Sequence, residues 1–430
     1  MATAQTTIPN TAWYHRLHWR IAVAMLLGIV AGLAGGEPLA GAVGWLGQLF
    51  IRLLRMIIVP LVLTSIVTGV ASVSAGAGLR RLFSKTFGYY LLTSAFACTI
   101  GLVLVNVIRP GVGADLAGAE TQALPELAVS ASPIDLILDI VPPNVVAAAA
   151  EGSMLSVIFF AIVLGVSISV LQPRHREPLV KLFEAGFEAM MRLTRGIIDY
   201  VAPIGVFGLI VNLVGTTGLG AFQALGWYAL MLACGLTLHL FVVLPLLLYL
   251  VGGINPIVHF RNMVEPLVMA FSTSSSGATL PVTMNAVEKR VGVSNRVTSF
   301  VLPMGATVNM DGTALYECAG VLFIAQVLGV TLGLEQQILV VFASLLASIG
   351  AAAVPSAGLV VIFIVLEAVN LTGPQVELIV GAMLAVDRPL DMARTAVNVF
   401  SDSCGAAIIA RSEGEAGVDE PAAPAAAAAG

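Results

Sequence analysis

Residues 264–287 read VEPLVMAFSTSSSGATLPVTMNAV, a run of serines between two apolar arms. Each arm, 264–271 or 280–287, is much shorter than the ~20 residues that a helix needs to cross the hydrocarbon of a bilayer. Non-helical backbone at membrane depth is tolerated only where it is buried in protein or lines a wet cavity. We therefore predict a re-entrant helical hairpin. The alternative, an ordinary loop between two full spans, conflicts mainly with the short arms.

The same arrangement occurs a second time near the end of the chain. Residues 337–349 and 359–369 are apolar arms on either side of GAAAVPSAG at 350–358. Paired interrupted segments in corresponding places indicate the binding site of a secondary transporter. We predict two hairpins that enter the membrane from opposite sides.

The composition places the remaining segments in a membrane as well. Hydrophobic residues make up 58% of the chain and charged residues 10%, whereas a soluble domain carries about 25% charged residues. The fold class predicted is an all-α polytopic membrane protein with eight transmembrane helices and two re-entrant hairpins. The predicted helices are 17–35, 43–76, 83–108, 135–171, 178–215, 222–251, an interrupted helix at 297–330, and 386–411.

Basic residues are unevenly distributed among the connections. They follow the second, fourth and sixth predicted helices, whereas the connection 111–135 holds acidic residues and no Lys or Arg. Short basic connections lie on the cytoplasmic side, which predicts cytoplasmic termini and suits a bacterial inner membrane. Residues 1–16 are then a cytoplasmic segment, and the Ala/Pro-rich tail 412–430 is expected to be disordered.

The last predicted helix carries six polar side chains on one face. At about 100° per residue they share an arc of about 100°. They are Asp387, Asp391, Arg394, Thr395, Asn398 and Asp402. Ionisable groups at membrane depth cost at least ~2.5 kcal/mol each on insertion scales and are therefore candidates for a functional site. A structural ion-pair network is the alternative, although three carboxylates against one guanidinium do not cancel.

A second polar group interrupts the apolar stretch 297–330. Residues 307–313 read TVNMDGT, and a break in the helix there would free backbone carbonyls beside Asn309 and Asp311. An all-oxygen site suits a hard cation; the alternative is a polar kink without an ion. With Asp311 included, four carboxylates against Arg394 leave a formal charge of −3, which bound cations or protons must neutralise.

Two further features favour an anionic solute. Arg394 offers a planar fork for bidentate capture of a carboxylate. The serine run offers hydroxyl and N–H donors at a hairpin tip, where the N-terminus of the outgoing half-helix favours negative charge.

These residues resemble the glutamate and aspartate transporters of the dicarboxylate/amino acid:cation symporter family over about residues 15–411. Four motifs carry the resemblance: SSSGATLPVT at 274–283, NMDGTALYE at 309–317, VPSAG at 354–358 and DRPLDMARTAVNVFSD at 387–402. It implies a homotrimer that works as an elevator. Helices 1, 2, 4 and 5 of residues 17–251 would form a fixed scaffold, and helices 3 and 6 would move with a transport core at 252–411.

The resemblance also implies roles for individual residues. The substrate side-chain carboxylate would bind Arg394 near Thr313 and Gly358, the α-carboxylate would bind Ser275 and Asn398, and the amino group would bind Asp391, Thr395 and Val354. Three sodium sites are implied. Their ligands are Gly305, Asn309, Asn398 and Asp402 in the first; Thr307, Met310, Ser348, Ile349 and Ala351 in the second; and Tyr90, Thr93, Ser94, Asn309 and Asp311 in the third.

The pairing of Asp391 with Arg394 implies the substrate subtype. Relatives for C4-dicarboxylates lack the aspartate and relatives for neutral amino acids lack the arginine, so aspartate or glutamate is expected, with those two classes as alternatives. Glu317 matches a glutamate linked to proton co-transport in animal relatives and is a candidate proton carrier; a satisfied buried acid is the equal alternative. Relatives place an arginine where this chain has Thr273 or Met392, which leaves the role of the nearby Arg388 open.

Other classes of function fit the sequence less well. An ion channel also uses re-entrant segments but does not need the carboxylate clamp of Arg394. An intramembrane hydrolase built on Ser275 or Ser276 lacks a suitable histidine, so no enzymatic activity is expected. We expect no cofactor, only co-transported sodium, and as partners the acidic amino acid and the lipid bilayer, without nucleic acid.

Overall fold

The computed structural model describes residues 17–71, 77–114, 140–151, 153–218, 221–349 and 357–419. Across these ranges the regular structure is helical and contains no strand. The α-helices are α1 Leu17–Ala71, α2 Ala77–Ile108, α3 Val145–Glu151, α4 Met154–Ser169, α5 Pro173–Gly196, α6 Ala202–Thr217, α7 Ala221–Leu238, α8 Leu244–Gly252, α9 Pro256–Thr273, α10 Ser276–Ala286, α11 Asn295–Val308, α12 Asp311–Val327, α13 Leu334–Ile349, α14 Ala357–Ala368 and α15 Pro374–Ser412.

The first two predicted helices follow each other without a loop. They form α1, which is interrupted where Gly36 adopts φ 53° and ψ −151°. A positive φ is accessible to glycine because it has no Cβ, and Pro38 fixes the backbone just after it. The second helical segment therefore begins several residues before the predicted position 43.

The prediction of one continuous helix at 135–171 is wrong. Residues 141–144 are irregular, and the helical part is divided into α3 and α4. The Asn144 side chain accepts hydrogen bonds from the backbone N–H groups of Val146 and Ala147, which caps α3. Hydrophobicity alone could not reveal this cap. Residues 135–139 lie outside the described part.

The fifth and sixth predicted helices each contain a π-helical turn. Ile197–Val201 joins α5 to α6, and His239–Val243 joins α7 to α8. Such turns insert one extra residue into a helix and occur frequently at functional sites. The turn at His239 lies beside the polar residues of α12 described below.

The two hairpin segments have the predicted paired-arm form, with one arm longer than expected. α9 starts at Pro256, capped by Asn255, instead of at residue 264. The turn between α9 and α10 is made by Ser274, which adopts a left-handed conformation, and by Ser275 in an extended one. In the second hairpin α13 and α14 are the arms, and residues 350–356 lie outside the described part.

Four helices of the described residues are long and apolar enough to cross a membrane. They are Trp19–Ala71, Arg81–Ile108, Pro173–Thr216 and Phe222–Gly252. The first comprises two predicted spans, while α11, α12 and α15 are interrupted or carry the charged residues. The protein is therefore an integral membrane protein on length and composition.

The helices pack in two groups. α1 packs mainly on α4, α5 and α6, whereas α15 packs on α7 to α12 and also on α6, and α2 packs chiefly on α12. Arg55 of α1 connects the groups. Its guanidinium pairs with Glu377 at 2.7 Å and lies 4.4 Å above the Phe363 ring.

Residues 413–419 are packed against the rest of the protein, so the expectation of a disordered tail from 412 is wrong for this part. Glu413 pairs with Arg81 and Lys85 at 2.6 Å each. Asp419 contacts His259 and accepts a hydrogen bond from Asn262 at 2.7 Å. Composition suggested disorder because it cannot show which acidic residues find partners. Residues 420–430 lie outside the described part.

We expect a chain that ends at Ser412 to be less stable than one that ends at Asp419. The shorter chain leaves buried His259 without Asp419, and the loss of such a partner is costly. The midpoint of thermal unfolding in detergent at pH 7 should fall by about 3 °C or more. The chain ending at Asp419 is the matched control and should unfold like the full chain; equal midpoints for all three would contradict this prediction.

The contribution of Glu413 should depend on pH. Hydrogen bonds from Arg81 and Lys85 lower the pKa of Glu413 from 4.5 to about 2. Because the folded pKa is the lower one, this contribution is present above pH 4.5 and is lost as the pH falls towards 2.

Candidate functional site

The break between α11 and α12 exposes the backbone at the predicted cation site. Asn309 is extended and Met310 is non-helical, so the helical hydrogen-bond ladder is interrupted between them. Asn309, Met310 and Asp311 are all buried. The sequence prediction of unwound backbone inside this apolar stretch is confirmed at Asn309 and Met310, but α11 includes Thr307 and Val308, and α12 already begins at Asp311.

Three side chains from three helices hold the Asp311 carboxylate. Ser94 of α2 donates to Oδ1 at 2.7 Å, and Ser401 of α15 donates to Oδ2 at 2.7 Å. His239 Nε2 lies 3.0 Å from Oδ2. Both Asp311 and His239 are inaccessible to solvent.

Asp402 lies beside this group and shares its partners. Asn309 Nδ2 donates to Asp402 Oδ1 at 2.9 Å and to Ser401 Oγ at 3.0 Å. A Cβ at Gly305 would lie 2.4 Å from Asp402 Oδ1 and 2.6 Å from the Tyr90 hydroxyl. Only glycine lets these oxygens approach the helix backbone, so four residues predicted as sodium ligands meet at one place.

Tyr90 and Thr93 reach the same region from α2. The Tyr90 hydroxyl donates to the carbonyl of Val301 at 2.8 Å, and Thr93 Oγ1 lies 3.4 Å from Asn309 Oδ1. The first and third predicted sodium sets are therefore contiguous through Asn309.

The second predicted sodium set is only partly described. Thr307 donates to the carbonyl of Met304 at 3.2 Å, and Ser348 donates to that of Leu345 at 3.0 Å. Ser348 and Ile349 are buried at the end of α13, which packs against α11. Ala351 lies outside the described residues.

Arg394 is the centre of the predicted substrate site. Its Nη2 donates to Asp387 at 2.9 Å and to Asp391 at 3.0 Å, and its guanidinium lies 3.8 Å above the Tyr316 ring. Within the described chain, Nη1 and Nε are buried without a hydrogen-bond partner. The predicted ion-pair alternative therefore accounts for Nη2 of the guanidinium and leaves the Nη1 and Nε donors unused.

The neighbours of Arg394 leave little space around those donors. A Cβ at Gly358 would lie 3.1 Å from Arg394 Nη1, so glycine keeps the backbone of α14 close to the guanidinium. Asn398 accepts a hydrogen bond from Gly312 N at 2.8 Å, and its amide nitrogen lies 3.4 Å from Thr313 Oγ1. Thr395 donates to the carbonyl of Asp391 at 2.8 Å.

The serine run is buried at the tip of the first hairpin. Ser275 caps α10 and accepts a hydrogen bond from Ala278 N at 3.2 Å. Because α10 packs against α15, the tip segment and the Arg394 helix are neighbours. Val354 of the second hairpin lies outside the described residues.

Arg388 makes a contact that the helical wheel left undecided. Its Nη1 lies 3.3 Å from Asp391 Oδ2, and its side chain is only 13% exposed. Two guanidinium groups thus oppose Asp387 and Asp391. The formal charge of the combined site is −2 instead of −3, and the excess lies on Asp311 and Asp402.

Glu317 is completely buried on α12, one residue after Tyr316. Neither carboxyl oxygen has a hydrogen-bond partner among the residues described. The alternative of a satisfied hydrogen-bonded acid is not supported by these contacts.

The sequence interpretation missed three contributors to the site. His239, Ser401 and Tyr316 contact Asp311 or Arg394 from other helices or from the edge of the predicted arc. A histidine in the middle of an apolar helix is itself an indication of function.

A buried guanidinium and two buried carboxylates inside apolar helices are typical of the functional site of an integral membrane protein. Residues 17–412 match the sodium:dicarboxylate symporter family. The chain therefore belongs to that family, and the predicted resemblance is confirmed.

Three relatives show the range of names in the family. The proton/glutamate-aspartate symporter of Escherichia coli (strain K12) is 35% identical over 413 residues, which cover 92% of this chain and 93% of that protein. The proton/sodium-glutamate symport protein of Bacillus caldotenax is 32% identical, with 93% and 95% covered. The neutral amino acid transporter B(0) of Oryctolagus cuniculus is 36% identical, with 89% and 78% covered.

Proposed function

We propose that this protein is a secondary active symporter that couples uptake of aspartate or glutamate to sodium. The observation that carries the proposal is the buried Arg394, whose Nη1 and Nε donors have no partner among the described residues, in the same protein as the buried Asp311 and Asp402 carboxylates. The relatives named for glutamate and aspartate support an acidic substrate.

The unpaired donors of Arg394 suit the side-chain carboxylate of the substrate. Nη1 would donate a charge-assisted hydrogen bond to it on the side where Gly358 brings no side chain against the guanidinium. Asp391 and Thr395 would take the amino group, and Ser275 and Asn398 would take the α-carboxylate. Thr313 and Val354 would complete this substrate site.

The predicted sodium ligands would couple the uptake of the amino acid to sodium. Asp311 and Asp402 are buried carboxylates without a guanidinium partner in the described structure, and an uncompensated buried charge is costly. Sodium ions held by their oxygens, with Tyr90, Thr93, Ser94, Gly305 and Asn309, would offset that cost. The set of Thr307, Met310, Ser348, Ile349 and Ala351 would hold a further ion. Sodium is cargo here and not a resident cofactor.

The two packing groups suit an elevator mechanism. In this proposal the scaffold comprises α1 and α3 to α6, which are the first, second, fourth and fifth predicted helices. The third predicted helix, α2, the sixth, α7 to α8, and residues 252–411 move with the two hairpins as gates. Eight spans, a homotrimer, a bacterial inner membrane and cytoplasmic termini complete the proposal. The exposed apolar residues of α1, including Leu26, Val30 and Trp45, are available for lipid or for neighbouring subunits.

Uptake of radiolabelled aspartate into proteoliposomes tests the proposed function. Sodium, proton and potassium gradients are imposed separately, and an inward sodium gradient should drive accumulation. Unlabelled glutamate should compete, whereas succinate and alanine test the dicarboxylate and neutral amino acid alternatives. Aspartate accumulation that is equal with and without a sodium gradient would contradict the proposal.

We expect Glu317→Gln to remove the response of uptake to a proton gradient. A buried carboxyl without a partner can carry a proton, whereas glutamine cannot take one up. Uptake driven by sodium alone is the control for folding. A variant with the parental response to an imposed pH gradient would exclude Glu317 as a proton carrier.

A further inference from the structure

His239 occupies an unusual place in the sixth helix. It begins the π-helical turn His239–Val243, is inaccessible to solvent, and places Nε2 3.0 Å from Asp311 Oδ2. An imidazole in an apolar helix that contacts a predicted cation ligand calls for a physical explanation.

The contacts of Asp311 distinguish its two oxygens. Each carboxylate oxygen can accept about two hydrogen bonds. Oδ2 already receives the Ser401 hydroxyl and faces His239, so its capacity is filled. Among the described residues Oδ1 receives only Ser94 and therefore retains capacity to bind a cation.

The orientation of the Asp311 carboxylate directs Oδ1, the oxygen that can still bind a cation, towards α2. Ser94, which contacts Oδ1, lies one residue after Thr93, and Thr93 Oγ1 is 3.4 Å from Asn309 Oδ1. Rotation of the carboxylate would exchange the two oxygens, so that the oxygen with capacity for a cation would no longer face α2. Ser401 and His239 oppose that rotation from the other side.

We propose that His239 is a positioning residue that sets sodium affinity by donating a hydrogen bond from Nε2 to Asp311 Oδ2. It touches neither the sodium ion nor the amino acid. This inference rests on the proposed sodium-coupled function and adds the helix that bears His239 to the support of the cation site. The hydrogen bond from Nε2–H would orient Asp311 and fix which of its oxygens faces the ion.

Two variants separate the hydrogen bond from the volume of the side chain. His239→Gln keeps an N–H donor near the position of Nε2, whereas His239→Leu fills the space without a donor. We expect H239L to raise the sodium concentration for half-maximal aspartate uptake about tenfold, the size expected for loss of a hydrogen bond to a charged group. H239Q should stay within about threefold of the parent, and the aspartate KM at saturating sodium should be nearly unchanged in both.

A second readout does not depend on transport. Sodium added without amino acid should raise the midpoint of thermal unfolding. For the parent and H239Q this shift should occur at lower sodium concentrations than for H239L. His175→Leu, at an exposed histidine, is the matched control. If H239L does not fold, His239→Asn serves instead, because its amide reaches only as far as Nδ1 and should also raise the sodium requirement.

The outcomes separate this inference from the proposed function. If the parent shows no sodium dependence, the proposed function fails. If the parent depends on sodium while H239L keeps its sodium requirement, or if H239Q is impaired as much as H239L, the positioning role of His239 is wrong.

Discussion

Replacement of Arg394 with alanine should reduce the efficiency of aspartate uptake by at least about 100-fold, because truncation of one partner in a buried, hydrogen-bonded charge pair costs 2–5 kcal/mol or more. The variant loses the unpaired Nη1 and Nε donors and leaves Asp387 and Asp391 without the cation between them. Uptake and equilibrium binding of aspartate at saturating sodium measure the effect.

Two controls separate substrate binding from folding. Arg394→Lys keeps a positive charge but loses the planar fork, so it should fold and still bind aspartate poorly. Arg192→Ala changes an exposed arginine of α5 and should transport normally. Parental aspartate affinity in the alanine variant would refute the assignment of Arg394.

Replacement of sodium with choline should abolish aspartate binding, with the apparent dissociation constant rising by at least about 100-fold. Asp311 and Asp402 are buried, and hydrogen bonds of Asn309 and Ser401 link them. While their negative charges are uncompensated, binding of the anionic aspartate is unfavourable. The measurement is binding to purified protein in sodium or choline at pH 5.5 and pH 7.5.

A variant assigns the sodium effect to the proposed site. Asp402→Asn should raise the sodium concentration for half-maximal binding about tenfold or more, since it removes one charge from the ligands while it keeps an oxygen. Asp199→Asn, at an exposed position of the π turn after α5, is the control. Equal binding in choline and sodium at both pH values would show that sodium is not the coupling ion.

Local patterns were sufficient to predict the hairpin tip, the break at Asn309 and the polar face of α15. Each of these depends on residues close together in the sequence: the serine run, the NMDG motif, and side chains spaced along one helix. The helical wheel correctly grouped Arg394 with Asp387 and Asp391, since all three lie on the same helix.

Contacts between distant segments could not be predicted in this way. A wheel describes one helix, so it could not place His239 against Asp311, and only the family resemblance grouped Ser94 with Asp311. The side chain of Arg388 lay at the edge of the arc, and only its conformation shows the contact with Asp391. Hydrophobicity likewise missed the capped start of α3, because one asparagine decides it.

The packed segment 413–419 has a practical consequence for work with this protein. Val418 and Asp419 are 1% and 6% exposed, so a purification tag or fluorescent reporter fused directly after Ser412 would displace side chains that hold the first hairpin. A fusion placed after residue 419 preserves those contacts, and recombinant versions of the chain should be designed accordingly.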